Sequence, residues 1–260
     1  MIKDFARRVI RWQKKHGRHD LPWQRDRQPY RVWVSEIMLQ QTRVATASIY
    51  YDRFLQRFPD VGALARAEPD EVMALWAGLG YYARARNLHR AARVIVERHD
   101  GRFPRTLEQI RTLPGIGRTT AASIAAFAFG ARTAILDGNV KRVLSRVFAI
   151  EGSPGTPAME KRLWRLAETL LPEREIAAYT QGLIDLGAML CRRSRPDCAS
   201  CPLRTGCVAE REGRTSELPC PRPERVLPHR IATVLLIRDV GRVLLERRPP
   251  AGIWGGLLSL

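Results

Sequence analysis

The chain has 260 residues, 45% of them hydrophobic, which is enough for one large domain or two ordinary ones with a substantial core. Its 44 lysines and arginines against 26 aspartates and glutamates give a formal net charge of +18, which favours a polyanionic partner. Nucleic acid is the first candidate and an acidic membrane surface the second. A membrane-spanning protein is disfavoured, because the longest apolar stretch, roughly residues 121–131, is far too short to cross a bilayer. The N-terminus also lacks the apolar core of a secretory signal, so we expect an intracellular protein, in the cytoplasm or nucleoid if the source is bacterial.

From residue 1 to about 190, apolar residues recur every three or four positions, and this spacing predicts many short helices separated by Pro and Gly. No segment in this range alternates like a strand. One of the predicted helices contains "SEIMLQQT", residues 35–42, in which Glu36 interrupts an apolar run. A carboxylate among apolar neighbours is costly unless it is paired, solvated or used in chemistry. Glu36 therefore lies either on a solvated helix face or at a functional site.

An aromatic and basic cluster follows in "GLGYYARARNL", residues 78–88. Tyr81 and Tyr82 come after a Gly-x-Gly turn and lead into Arg84 and Arg86. Aromatic side chains beside arginines can wedge between bases or stack on them. Two core tyrosines at the start of a helix explain the pattern equally well.

The segment "LPGIGRTTA", residues 113–121, predicts a helix–hairpin–helix. A helix from about Leu107 would end near Leu113, Gly115 would turn the chain, Gly117 would permit a tight backbone, and a new helix would begin near Arg118. Backbone N–H groups at such a turn can approach a phosphate, and the N-terminus of the second helix favours negative charge. The alternative is an ordinary corner between two helices.

A second carboxylate stands out in "AILDGNVKRVLSR", residues 134–146, where Asp137 precedes a Gly–Asn turn and an apolar–basic helix. Aspartate is a favoured N-cap. A carboxylate at a helix N-terminus stays ionised, as an electrostatic stabiliser of a cation must. Asp137 can fill both roles at once.

Four of the five cysteines crowd into "CRRSRPDCASCPLRTGC" with the spacing C-x6-C-x2-C-x5-C. Four thiolates on one loop-rich segment can hold a tetrahedral metal ion or an iron–sulfur cubane. Structural zinc usually has two C-x2-C pairs, and only one is present, so the spacing favours a [4Fe–4S] cluster with a structural role. The predicted ligands are Cys191, Cys198, Cys201 and Cys207. Cys220 stands alone as an ordinary thiol.

The composition changes near Leu218, where "LPCPRPERVLPHR" predicts an extended linker over residues 218–229. The following "IATVLLIRDVGRVLLERR" predicts two strands joined by a turn at residues 239–241. About thirty residues cannot form an independent β domain. We therefore interpret residues 230–260 as the incomplete start of a second, β-containing domain.

Taken together and in this order, "LPWQ", "SEIMLQQT", "GLGYYARARN", "LPGIGRTTA", "ILDGNVKRV" and the cysteine segment closely resemble the adenine-specific DNA glycosylases of the MutY type, within the helix–hairpin–helix DNA glycosylase superfamily. The resemblance runs from about Leu21 to Cys207, and "GIWGGL" near the end is similar to the start of that family's C-terminal Nudix-like domain. It implies a mainly α fold with a helical catalytic region over residues 1–217. In this region a six-helix barrel with the hairpin occupies about 22–130, and an iron–sulfur subdomain is formed by 1–21 and 131–217.

The resemblance also implies roles for particular residues. Glu36 would be the general acid, Asp137 the second carboxylate, and the four cysteines the ligands of a [4Fe–4S] cluster. Gln41 and Tyr81 would intrude into the duplex where the adenine leaves. The other residues expected at the adenine pocket or along the DNA are Trp23, Leu39, Gly115, Gly117, Thr119, Asn139 and Gln181.

The implied reaction is hydrolysis of the N-glycosidic bond of adenine mispaired with 8-oxoguanine or guanine in double-stranded DNA, by a monomer. One carboxyl must protonate the departing base while the other stabilises the cationic sugar, so the two need opposite protonation states. Apolar surroundings raise the pKa of an acid, which suits Glu36. The base must leave the stack to reach them.

Relatives with lyase activity carry a lysine in the helix after the hairpin, where this chain has Thr119. Without that amine there is no obvious Schiff-base nucleophile, so we expect a monofunctional glycosylase. Three alternatives remain open at this stage. They are a bifunctional, endonuclease III-like glycosylase/lyase for oxidised pyrimidines, a non-catalytic iron–sulfur DNA-binding protein, and a zinc-stapled transcription factor.

Overall fold

The computed structural model describes residues 2–153, 155–220, 229, 231, 233–249 and 255–260, and over these the chain is mainly helical, as the apolar spacing predicts. The α-helices are α1 (Ile2–His16), α2 (Pro29–Leu39), α3 (Val44–Arg57), α4 (Val61–Arg66), α5 (Pro69–Trp76), α6 (Ala83–His99), α7 (Leu107–Thr112), α8 (Arg118–Phe129), α9 (Gly138–Val147), α10 (Pro157–Thr169), α11 (Ile176–Asp185) and α12 (Val208–Arg211). Short 3-10 turns occur at Pro22–Gln24 and Arg204–Gly206, and a π-helical turn at Leu186–Leu190 extends α11.

Local sequence signals set several of these boundaries. Proline occupies the first turn of α2, α5 and α10, where its missing N–H costs no hydrogen bond. Asp60 and Thr106 cap α4 and α7 by accepting a hydrogen bond from the backbone N–H three residues later. The predicted hairpin is confirmed, because α7 ends at Thr112 and α8 begins at Arg118.

The helices enclose two hydrophobic cores. The first lies among α2 to α8 and contains Trp33, Phe54 and Trp76. The second joins α1 to α9, α10 and α11, and reaches the cysteine segment. Helix α8 contributes to both, since Ala125 faces the first core and Ala122 the second. Its small side chains let α2 and α11 pack closely against it, which brings distant parts of the chain to one place.

The predicted β-hairpin is present near the C-terminus but is short. Strand β1 (Arg238–Asp239) pairs antiparallel with β2 (Arg242–Val243) across the predicted turn, and β3 (Glu246–Arg247) pairs antiparallel with β4 (Leu258–Ser259). The apolar residues before β1 stay exposed, with Leu235 at 72%, so no packed face lengthens these strands. Residues 221–228 of the predicted linker and 252–254 of "GIWGGL" lie outside the described residues.

The C-terminal segment contacts the helical region through an ion pair. Both terminal nitrogens of Arg247 lie 3.0–3.1 Å from the carboxylate of Asp70 in the first turn of α5. Both side chains are more than half exposed, so the pair adds little stability. None of the described helices combines the length and apolar character needed to cross a bilayer.

Candidate active site

A cavity of about 270 Å³ lies between α2, α8, α11 and the N-terminus of α9, close to the lower end of the range for small-molecule sites. Seven of the predicted site residues line it: Trp23, Glu36, Leu39, Thr119, Asp137, Asn139 and Gln181. The two predicted carboxylates, 101 positions apart in the chain, therefore share one cavity. Gln41, Tyr81, Gly115, Gly117 and the four cysteines lie outside its wall.

Glu36 reaches the cavity from α2, among residues whose side chains are buried. Burial raises its pKa to about 7, and the nearby carboxylate of Asp137 acts in the same direction. A hydrogen bond with the hydroxyl of Ser123, on α8, opposes this rise. Glu36 is consequently divided between its acid and carboxylate forms near neutral pH, as a proton donor at that pH must be.

Asp137 is the N-cap of α9. Its Oδ1 accepts a hydrogen bond from the backbone N–H of Val140 at 2.8 Å, and its Oδ2 accepts one from Nδ2 of Asn139 at 3.2 Å. Burial nevertheless raises the pKa of Asp137 above its ordinary value, although these hydrogen bonds and the charge of Arg142 act against the rise. Desolvation in the cavity thus outweighs the helix N-terminus and the cap in setting the direction of this shift.

Thr119 lines the cavity from the first turn of α8, at the position where lyases carry a lysine. Its hydroxyl donates a hydrogen bond to the backbone carbonyl of Leu136 at 3.3 Å. Among the described residues that line the cavity there is no lysine. The nearby Lys141 forms an ion pair with Glu160 at 2.5 Å instead. The cavity wall thus offers no primary amine as a nucleophile.

The two hairpin glycines differ in what their positions require. Gly115 has φ +78°, and a Cβ there would lie 2.6 Å from the Cβ of Asn87, so this position needs glycine. Gly117 has φ −87° and ψ 175°, which any residue can adopt, and a Cβ there would have no neighbour within 4 Å among the described residues. This backbone conformation at Gly117 therefore does not itself require glycine. Its missing side chain leaves open space in front of the N-terminus of α8.

Gln41 and Tyr81 sit in two loops, after α2 and before α6 respectively. Both have a left-handed backbone conformation, with φ 58° and 48°, which is uncommon for residues with a side chain. The side chain of Tyr81 is 65% exposed. Backbone strain of this kind persists only where surrounding contacts impose it.

Arg84 supplies those contacts, a role that sequence reasoning missed. Its side chain is 8% exposed and points inward. Its guanidinium donates to the carbonyls of Ile37 and Met38 at 2.9 and 2.8 Å and to those of Leu79 and Gly80 at 3.2 and 3.1 Å. One planar cation thereby ties the loop of Gln41 to the loop of Tyr81. No local pattern in the sequence reveals this, since the partners on α2 lie about 46 residues away.

We expect Arg84→Lys to destabilise the fold by about 2–4 kcal/mol and to loosen both loops. Lysine keeps the charge, but its single ammonium group cannot donate to carbonyls on both sides as the planar guanidinium does. Denaturant unfolding would measure the first effect, and hydrogen exchange over residues 38–43 and 78–83 the second. Arg90→Lys is the matched control, because Arg90 is an exposed residue of the same helix whose hydrogen bond, among the described residues, is to Asn87 within α6. Equal stability of the two variants would contradict this assignment.

The four predicted cysteine ligands line a second, largely apolar cavity formed with α9 and the π-helical turn. Nη1 of Arg146, a buried residue of α9, lies 3.4 Å from the sulfur of Cys191. No three His, Cys, Asp or Glu side chains within the described ranges are arranged to hold one metal ion. Four cysteine sulfurs around one largely apolar cavity fit the donor set of an iron–sulfur cluster.

Helix α9 joins this segment to the first cavity. Nε of Arg142 donates to the carbonyl of Cys191 at 2.7 Å, while its Nη2 bonds Oδ1 of Asn139 at 2.9 Å. Asn139 in turn bonds Asp137. A continuous chain of hydrogen bonds thus runs from the cysteine segment to the carboxylate at the N-terminus of α9.

Sequence reasoning missed several residues of the first cavity. Those it did not single out include Arg18, Gln24, Gln40, Thr120 and Ser123. Gln40 and Thr120 bond to each other at 3.1 Å and so fasten α2 to α8. Only Ser123 had a visible signal, as a polar residue within an alanine-rich helix.

Comparisons with known proteins agree with this architecture. The profile of the HhH-GPD superfamily base excision DNA repair proteins matches residues 34–169. The adenine DNA glycosylase of Buchnera aphidicola subsp. Acyrthosiphon pisum is 38% identical over 250 residues, which cover 96% of this chain and 71% of that protein. The adenine DNA glycosylase of Homo sapiens is 43% identical over 226 residues, which cover 84% of this chain and 41% of that protein.

Solved structures show the same fold. A thermostable thymine-DNA glycosylase superimposes with a TM-score of 0.73 at 29% identity, covering 81% of this chain and 97% of that one. Endonuclease III in a non-covalent complex with DNA gives a TM-score of 0.69 at 20% identity, covering 82% and 98%, and this likeness concerns the fold alone. With the family profile spanning more than half of its length, the chain belongs to the HhH-GPD superfamily of base excision DNA repair proteins and, within it, to the adenine DNA glycosylases.

Proposed function

We propose that the chain removes adenine mispaired with 8-oxoguanine or guanine in double-stranded DNA, by hydrolysing the N-glycosidic bond without cutting the strand. The observation that carries this proposal is the meeting of Glu36 and Asp137 in one cavity of about 270 Å³. The names of the similar proteins support adenine as the base. The threonine at position 119 supports base removal alone, since it supplies no amine for a covalent intermediate.

In this proposal Glu36 donates a proton to the departing adenine. Its pKa of about 7 keeps much of the acid form at neutral pH. Asp137, held in place by the N–H of Val140, stabilises the positive charge that develops on the sugar. The adenine enters the cavity after leaving the base stack. Gln41 and Tyr81, each on its own loop, then fill the space that the adenine leaves in the duplex.

The hairpin provides the proposed grip on the DNA backbone. The turn at Gly115 and the open N-terminus of α8 at Gly117 present backbone N–H groups that can donate hydrogen bonds to a phosphate. The formal net charge of +18 supports a polyanionic partner. Binding should therefore weaken steeply as salt concentration rises.

We further propose that Cys191, Cys198, Cys201 and Cys207 hold a [4Fe–4S] cluster. When bound, the cluster would staple the segment after α11 to α9 rather than take part in the excision chemistry. We expect the purified protein to contain about four irons per chain and to absorb visible light, whereas a zinc site is colourless. Cys201→Ser should lower both, and Cys220→Ser, at a cysteine outside the cavity, should change neither. Stoichiometric zinc without iron would contradict the assignment.

Residues 230–260 are proposed to form part of a Nudix-like domain that helps to recognise 8-oxoguanine. The antiparallel pairs β1–β2 and β3–β4 support a β-containing unit in this region.

The test of the proposed function is single-turnover excision on duplexes containing A:8-oxoguanine, A:G and A:T, with and without alkali. Strand breaks that appear only after alkali are expected for the two mispairs. Breaks without alkali would support a lyase. Tight, salt-sensitive binding without excision would support a non-catalytic DNA-binding protein, and either result would overturn the proposal.

The proposed role of Glu36 predicts a pH dependence of the excision rate. Because its pKa is raised from 4.5 to about 7, the acid form dominates below pH 7 and is lost above it. The single-turnover rate constant should therefore fall about tenfold for each pH unit above about 7. Measuring the rate between pH 5 and 9 at constant ionic strength would check this. A rate that stays constant up to pH 9 would contradict Glu36 as the proton donor.

A further inference from the structure

Asp185, the last residue of α11, is fully buried at 0% exposure behind the wall of the active-site cavity. Its Oδ1 accepts hydrogen bonds from Nε2 of Gln181 at 2.8 Å and from Nε and Nη2 of Arg18 at 2.8 and 2.7 Å. Its Oδ2 accepts one from the backbone N–H of Arg18 at 2.9 Å. Asp185 does not line the cavity, but both residues that it binds do.

The backbone around this carboxylate is shaped to reach it. A Cβ at Gly17 would lie 3.0 Å from Oδ2 of Asp185 and 2.6 Å from the carbonyl oxygen of Gln13. Only a residue without a side chain can bring the N–H of Arg18 so close to the carboxylate at this point. The hydrogen bond from the N–H of Arg18 to Asp185, between residues 167 positions apart, therefore depends on glycine at position 17.

The carboxylate determines which way the amide of Gln181 faces. An ionised carboxylate only accepts hydrogen bonds, so it binds the amide nitrogen of Gln181 and repels the amide oxygen. Oε1 is consequently turned away from Asp185, and no hydrogen bond within the described part of the chain uses it. Because Gln181 lines the cavity, this oxygen is an acceptor available to a bound base.

We propose that Asp185 is a positioning residue for base selection, which fixes Gln181 as an acceptor for a 6-amino group and holds Arg18 beside it. The inference rests on the proposed excision of adenine and deepens it. Adenine carries an amino group at C6, a donor that matches Oε1. Guanine and hypoxanthine carry a carbonyl there, and two facing acceptors leave a buried polar group unpaired.

The test compares single-turnover excision of adenine and of purine, which lacks the 6-amino group, each opposite 8-oxoguanine, in the wild type and in Asp185→Leu. Leucine has the same branched shape and no acceptor, so the amide of Gln181 would be free to turn. The intrinsic reactivity of the two bases is the same for both proteins. It therefore cancels when the adenine-to-purine rate ratio of the variant is divided by that of the wild type. We expect the preference for adenine over purine to fall about three- to tenfold in the variant.

Glu175→Gln is the matched control, since Glu175, the residue before α11, pairs with Lys14 of α1 away from the cavity. Its preference for adenine should equal that of the wild type. If Asp185→Leu does not fold, as judged by circular dichroism, the double variant Arg18→Met, Asp185→Leu replaces it, because it removes the buried charge from both partners and leaves no acceptor for the amide of Gln181. The same loss of preference is expected.

Three outcomes would overturn the inference. The first is a variant that excises both bases more slowly with an unchanged ratio, since this is the mark of a purely structural role. The second is a double variant that keeps the wild-type ratio. The third is a wild type that excises adenine and purine equally well, which would leave the proposed function intact. A wild type that excises neither base would instead refute the proposed function itself.

Discussion

Glu36→Gln is expected to slow single-turnover excision of adenine by about 10²–10⁴-fold, the usual contribution of a positioned general acid. The glutamine amide has the same shape as the carboxylic acid and can still bond the hydroxyl of Ser123, but it has no proton to give at neutral pH. Binding to the mispaired duplex should change little. The rate would be measured with enzyme in excess, and binding with a duplex whose adenosine resists cleavage.

The stability of this variant provides a second readout. Burial of Glu36 favours its neutral form in the folded state, so the folded wild type loses stability relative to the unfolded chain as pH rises from 4.5 to about 7. The glutamine of Glu36→Gln does not ionise, so the variant does not lose stability in this pH range. It should therefore be at least as stable as the wild type at pH 8. Glu97→Gln, on an exposed face of α6, should match the wild type in both rate and stability. A slow variant that is also unfolded would show a structural role instead.

Asp137→Asn is expected to slow excision by about 10²–10³-fold, which is typical for the loss of one preorganised electrostatic contact. Asparagine is as good an N-cap as aspartate, so its side-chain oxygen can still accept the N–H of Val140 and keep the start of α9 in place. The free energy of unfolding should therefore change by less than about 1 kcal/mol. The change removes the charge at the cavity and keeps the cap.

The matched control is Asp60→Asn, at the N-cap of α4. Asp60 accepts the N–H of Ala63 at 2.7 Å in the same geometry, but it is exposed and lies away from the cavity. Both variants should be similarly stable, and only the one at position 137 should be slow. If Asp137→Asn excised adenine at the wild-type rate, the cap would be its whole function and its electrostatic role would be refuted.

Interactions within a few residues of the chain were predicted well. The turn at Gly115, the start of α8 at Arg118 and the N-cap at Asp137 all depend on contacts over three or four positions, where residue type and spacing carry the information. The helical character of the first 190 residues follows from the apolar period. The motifs also sufficed to identify the family.

Packing between distant segments decided what the sequence could not. Arg84 turned inward because carbonyls of α2 and of the loop after α5 converge on it, and no neighbour in its own segment indicates this. Burial in the cavity raises the pKa of Asp137, and its position at a helix start does not reveal this. Desolvation depends on every segment that surrounds a group, so the apolar run around Glu36 indicated its raised pKa whereas the local pattern at Asp137 did not.

The amino-acid sequence by itself thus determined the helices, the hairpin and the identities of the two carboxylates. The tertiary structure alone brought Glu36 and Asp137 to one cavity and placed Asp185 behind Gln181 and Arg18. The physical reason is a difference in range. Caps and turns depend on neighbours along the chain. Burial, charge pairing and the orientation of an amide depend on which distant segments pack against each other in the two cores.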